Sequence, residues 1–154
     1  MIRRLHFSLA LIALASACTA AIRNTSGAAE AALMQSDRDF AVETHARGID
    51  GWMSFFAPDA IRIRYRDNMV RGLDAIRRFD LPGISDTTST LNWEPTDAYV
   101  FRGGGIGSTT GRYWVVSRKP GDAGKQLGHG RYVTMWRNDG GRWLVIVDTG
   151  YPEP

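Results

Sequence analysis

Only one cysteine is present, Cys18, so no disulfide can form within the chain. Histidine is almost as scarce. His6, His45 and His129 are the full set, and once a leader is removed the remaining two share no ligand spacing. Neither a bound metal nor a cofactor is expected. No repeat, heptad or long low-complexity segment appears, and no G-x-S-x-G nucleophile turn. Gly103-Gly104-Gly105 joins two strand-like runs, whereas a phosphate cradle needs a helix N-terminus after it. The one long apolar stretch, Leu5 to Ala17, is too short for a stable membrane span. Charge of one sign is not in excess either. The formal net charge is +3, and it falls to +1 once Arg3 and Arg4 leave with the leader. That balance argues against nucleic acid as a partner.

What is present begins with an export signal. Met1-Ile2-Arg3-Arg4, the apolar core and the small residues before Cys18 have the layout of a bacterial leader over residues 1–17. The setting Leu14-Ala15-Ser16-Ala17-Cys18 resembles the lipobox of bacterial lipoproteins, although Ala15 stands where leucine is usual. That resemblance implies a lipidated Cys18 at the mature N-terminus and an anchor in the envelope. The competing reading is an A-x-A cut after Ala17 that frees a soluble periplasmic protein. On either reading residues 18–27 are a tether, and residues 28–154 form one domain large enough for a core. The membrane is then a partner only through the lipid.

Along the domain, Ser26 is a candidate N-cap for a helix ending near Arg47, with Gly48 as its stop. Leu33, Phe40, Ala41 and Thr44 share a stripe with Asp37, which is placed at the solvent edge. A short helix after Asp50 carries Trp52, Phe55 and Phe56 and closes at Pro58. From Ile61 the period is two, with Ile61, Ile63 and Tyr65 on one side and Arg62, Arg64 and Arg66 on a solvated side. A return strand spans Met69 to Arg71, and a third helix spans Gly72 to Asp80, stopped by Pro82-Gly83. Strands follow at about Leu91 to Phe101, Ile106 to Arg118 and Gln126 to Arg137, with a closing strand from Arg142. Helices grouped at one end of an antiparallel sheet make an α+β domain. The expected form is a curved antiparallel sheet of about six strands round a long N-terminal helix and two shorter ones.

The last two strands form a hairpin about Asn138-Asp139-Gly140-Gly141. A symmetric four-residue turn puts Arg137 opposite Arg142 and Arg131 opposite Asp148. His129 then shares a face with Arg131. Both faces of the hairpin are largely apolar, so its strands are expected to be covered on both sides.

The order of elements, and four local stretches, resemble the nuclear transport factor 2-like superfamily, the cone-shaped α+β barrel. The stretches are Ser36-Asp37-Arg38-Asp39-Phe40, Gly51-Trp52-Met53-Ser54-Phe55-Phe56-Ala57-Pro58-Asp59-Ala60, Val70-Arg71-Gly72-Leu73-Asp74-Ala75-Ile76, and the terminal hairpin. They are similar to the SnoaL-like, ketosteroid-isomerase-homologue branch. The isomerases of that fold use a carboxylate base on the first strand and a tyrosine on the first helix. Aligned on this chain, those positions fall at or beside Arg64 and at Phe40, so the isomerase machinery is not carried over. Arginine stays protonated at neutral pH and phenylalanine has no donor.

Two functions remain open on the sequence. One is a domain that binds a small apolar or aromatic molecule in the cone, walled by Trp52, Phe56, Tyr65, Trp93, Tyr113, Tyr132 and Trp136. The other is an isomerase, dehydratase or cyclase whose acid–base groups come from Asp148, His129, Arg131, Asp37 and Tyr65. An assembly module with Arg62, Arg64 and Arg66 at its contact is a weaker third. The resemblance also implies a homodimer face. Intact-mass analysis of the protein recovered from the cell envelope is expected to give a chain beginning at acylated Cys18. An unmodified Cys18 in the soluble periplasmic fraction would instead mark the A-x-A cut.

Overall fold

The computed structural model describes residues 6–64 and 68–154, with side chains from residue 27 onward and that of Asn68 excepted. Tyr65, Arg66 and the side chain of Cys18 lie outside the described residues. The chain runs α1 (His6–Arg47), α2 (Ile49–Met53), β1 (Phe56–Arg64), β2 (Asn68–Arg71), α3 (Leu73–Ile84), β3 (Ser89–Val100), β4 (Ile106–Ser117), β5 (Gln126–Asp139) and β6 (Arg142–Pro152). α1 is unbroken through the stretch read as a tether, so Ser26 is not an N-cap. Among the described residues, no helix is long and apolar enough to cross a membrane.

The six strands form one sheet in the order β2-β1-β6-β5-β4-β3. Four of the five pairings are antiparallel, as expected, but β1 runs parallel to β6. A parallel pair cannot be closed by a tight turn and needs a long connection. Here β2, α3 and the three following strands supply it, and the sheet curls as β6 returns beside β1.

α1 lies in the curl. Leu33, Asp37, Phe40 and Thr44 recur at helical spacing and all four are buried. Phe40 is the hub. Its ring centroid lies 4.7 Å from that of Trp52, 5.0 Å from Phe55 and Trp93, and 6.0 Å from Phe56 and Trp136. Trp143 and Val145 of β6 and Ile76 of α3 complete this core. Phe56 and Pro58 belong to β1, not to the second helix, which ends at Met53.

The terminal hairpin differs from the symmetric expectation twice. Its turn is the two residues Gly140 and Gly141, with φ of 65° and 97°, so Asp139 pairs with Arg142. Glycine adopts that left-handed backbone without a Cβ clash. Then Ile146 is an extra residue in β6: Trp136 faces Val145, but Met135 faces Val147. Such a bulge shifts every later side chain of the strand to the other face. Asp148 therefore faces Thr134, and Arg131 faces Tyr151 instead of Asp148. The hairpin is also covered on one side only. Tyr132, Thr134 and Trp136 are buried, whereas Val133 on the far face is 37% exposed.

Two inward glycines make room for rings. A Cβ on Gly111 would meet Tyr132 Cε1 at 2.6 Å, and one on Gly130 would meet Tyr113 Cε1 at 2.7 Å. Both would also press on strand backbone, at Glu94 and Tyr151. Gly111→Ala is therefore expected to destabilise the fold by about 1–3 kcal/mol, the usual cost of overpacking. Urea unfolding checks this, with Gly105→Ala, whose Cβ meets nothing within 4 Å, as the control.

Candidate functional site

Between α3, the end of β1 and the concave face of the sheet is a cavity of about 430 Å3. Its wall is aromatic and apolar: Phe40, Trp52, Leu91, Trp93, Tyr113 and Tyr132. Its polar lining includes Arg62, Arg64, Asp80, Thr134 and Asp148, a cluster that adjoins Trp52. Of the pocket residues expected from sequence, Trp52, Trp93, Tyr113 and Tyr132 line it. Phe56 and Trp136 do not: both pack on Phe40 in the core beyond it. Tyr65 is outside the described residues.

The polar cluster is built on Arg62. Its Nε donates to Asp80 Oδ2 at 3.2 Å, and its Nη1 lies 3.0 Å from Asp148 Oδ2. The arginine side chain is only 12% exposed, so β1 turns the opposite face inward from the one expected. Ile61 and Ile63 remain partly exposed on the other side. An arginine tolerates that burial only with its charge compensated, and two carboxylates flank this one. Arg62 Nη1 also donates to the carbonyls of Ile63, at 3.0 Å, and Asp148, at 3.3 Å. The arginine thus laces β1 to β6.

Asp80 has no counterpart among the sequence-derived candidates. It lies one turn beyond Ile76 on the same face of α3, and both are buried. Pro82 was expected to stop the helix, but α3 continues through it to Ile84 and aims Asp80 at the cavity. The Leu73, Ile76, Asp80 and Ile84 spacing was the available signal. Trp52 Nε1 donates to Asp80 Oδ2 at 3.0 Å. Burial raises the Asp80 pKa above the ordinary carboxylate range, and the Arg62 charge opposes that shift. Asp148 is held on both oxygens, Oδ1 by the Thr134 hydroxyl at 2.6 Å and Oδ2 by Arg62.

Asp37 is buried, not at a solvent edge. Trp93 Nε1 donates to its Oδ1 at 2.9 Å and the Tyr132 hydroxyl to its Oδ2 at 2.8 Å. Two cavity-wall rings are thereby pinned from behind. Burial raises the Asp37 pKa, against the hydrogen bonds from Thr109, Trp93 and Tyr132. Burial and then the Asp37 charge push the Tyr132 hydroxyl upward as well, so it stays a neutral donor.

The other expected acid–base groups fall elsewhere. His129 is paired with Gln126 at 3.1 Å and lies on the far face of β5, because the bulge at Ile146 separates its face from that of Asp148. Arg131 is exposed and meets Glu153 at 3.1 Å. Among the described residues, no group of three His, Cys, Asp or Glu side chains could hold a metal ion.

No family model matches the chain, and no curated protein does. Solved structures do. An NTF2-like protein of unknown function from Pseudomonas putida KT2440 aligns at TM-score 0.65 and 22% identity, over 81% of this chain and 87% of that one. A cystatin-like-fold protein of unknown function from Nostoc punctiforme PCC 73102 aligns at TM-score 0.63 and 15% identity, over 79% and 89%. A putative calcium/calmodulin-dependent protein kinase type II association domain from Thiobacillus denitrificans ATCC 25259 aligns at TM-score 0.62 and 13% identity, over 77% and 93%. Likeness at these identities establishes the fold and leaves the activity to the site.

Because the folded pKa of Asp37 is raised, the native state holds this proton more tightly than the unfolded chain does. Its contribution to stability is full below the ordinary value of 3.8 and is lost as pH rises through the folded pKa. Lowering the pH from about 7 toward about 4 should therefore favour the wild type over Asp37→Asn. Urea denaturation of both proteins across that range measures the difference.

Proposed function

We propose that this nuclear transport factor 2-like fold serves as an envelope domain that binds one small molecule with an apolar or aromatic body inside its cone. The observation that carries the reading is the hollow itself. Its volume, about 430 Å3, falls within the range of small-molecule sites. Trp52, Trp93 and Tyr113 offer flat apolar surface, and Arg62, Asp80, Asp148 and Thr134 form one linked polar cluster beside Trp52. That combination suits a ligand with a ring or hydrocarbon body and one polar group. The envelope location rests on the leader sequence alone.

A second reading, proton transfer of the isomerase, dehydratase or cyclase kind, is favoured by one feature, the raised pKa of cavity-lining Asp80. It moves the acid–base role from Asp148, whose two oxygens are both engaged, to Asp80. For the assembly reading, Arg62 is unavailable as a contact because Asp80 and Asp148 hold it inside, whereas Arg64 stays half exposed.

Calorimetric titration with naphthalene-sized aromatic compounds tests the binding reading. Val115, also on the cavity lining, is replaced by tryptophan to fill the space. Val115→Trp should lower affinity at least about ten-fold, a loss of about 1.4 kcal/mol, while unfolding stays cooperative. Equal affinity in a folded Val115→Trp protein would place the ligand elsewhere.

A further inference from the structure

One acceptor among the polar groups that line the cavity has no partner among the described residues. Asp80 is 2% exposed, and its Oδ2 accepts hydrogen bonds from Trp52 and Arg62. Its Oδ1 has no hydrogen-bond partner among the described residues. Every fully enclosed side-chain nitrogen or oxygen among those residues does have one, so Oδ1 opens onto the cavity. The nearest cation is Arg64, whose Nη2 stands 3.9 Å away, too far for a hydrogen bond. Arg64 is half exposed, and its guanidinium sits 5.0 Å from the centre of the Phe79 ring, which steadies it there. The two groups therefore frame a gap between an open acceptor and a charged donor.

One oxygen atom seated beside that pair, off the line joining them, lies about 2.8 Å from each. It must donate to Asp80 Oδ1 and accept from Arg64 Nη2, and a hydroxyl does both. A ligand carboxylate cannot donate, and it would face the carboxylates of Asp80 and Asp148. A ligand ammonium would face two guanidinium groups, Arg62 and Arg64. A ketone or ether accepts only and would leave Oδ1 unpaired in a desolvated site. Asp148 does not compete for the hydroxyl, since Thr134 and Arg62 already hold it.

Resting on the binding reading above, we infer that the ligand is a neutral phenol or alcohol whose hydroxyl bridges Asp80 and Arg64 while its body lies against Trp52, Trp93 and Tyr113. Selectivity then comes from the unpaired buried acceptor. A site built to pair a hydroxyl rejects analogues that lack one far more strongly than an apolar wall rejects a change of shape.

Four compounds with one body separate the possibilities: 2-naphthol, naphthalene, 2-naphthoate and 2-naphthylmethylammonium. Calorimetric titration of the full chain should show 2-naphthol binding at least about ten-fold more tightly than the other three. Asp80→Asn should remove most of that preference. Because Asp80 also compensates Arg62, that variant can lose the fold, and Arg64→Met serves as the second. Arg64 makes no core contact comparable to that of Arg62, so Arg64→Met should fold and should lose most of the preference for 2-naphthol over naphthalene. Equal binding of all four compounds, tightest binding of 2-naphthoate or of the ammonium, or an undiminished 2-naphthol preference in Arg64→Met would overturn the hydroxyl inference and leave the binding reading standing. Binding of none of the four would overturn both.

Discussion

A single buried cation, Arg62, holds together the three elements that frame the cavity. It sits on β1, ties to Asp80 on α3, and ties to the side chain and backbone of Asp148 on β6. Removing charges from water costs several kcal/mol per ion, so the arrangement is no cheap source of stability. Its effect is on the cavity wall. The paired charges make one stretch of the cavity lining polar, beside the aromatic core around Phe40.

A second buried carboxylate works in a different way. Asp37 has no cationic partner among its hydrogen bonds and is satisfied by neutral donors. Trp136 Nε1 in turn donates to Thr109 at 2.8 Å, next to the same carboxylate. Such a network orders rings more than it binds anything. Trp93 and Tyr132 both line the hollow, and each is held by a hydrogen bond to Asp37. On the proposed binding reading, rings held this way need little further ordering, which lowers the cost of association.

The fold was legible because its signals are local. The arrest of α1 at Gly48, the two-residue period after Ile61, the turn glycines and the long late strands each depend on a few neighbouring residues. The site was less legible because its signals are relational. Alternation from Ile61 to Arg64 says that two faces differ, not which one is inside, and the pairing of Arg62 with Asp80 and Asp148 decides that. The face of Asp148 hung on one inserted residue, Ile146, which no periodicity reveals. Asp80 was masked by Pro82, which ordinarily closes a helix and here lies within one. Asp37 fell in the apolar stripe of α1, but its donors, Trp93 and Tyr132, are 56 and 95 residues away.

The parallel seam between β1 and β6 has a bearing on how the protein is made. Arg62 reaches the backbone of a residue 86 positions further on, and β6 is the last strand of the chain. Contacts between such distant segments require long loops to close and so tend to form late in folding. A polypeptide emerging from the ribosome can assemble α1 and its neighbouring turns early. It cannot enclose the chamber until β6 is free to dock, so no fragment that lacks β6 carries a finished chamber.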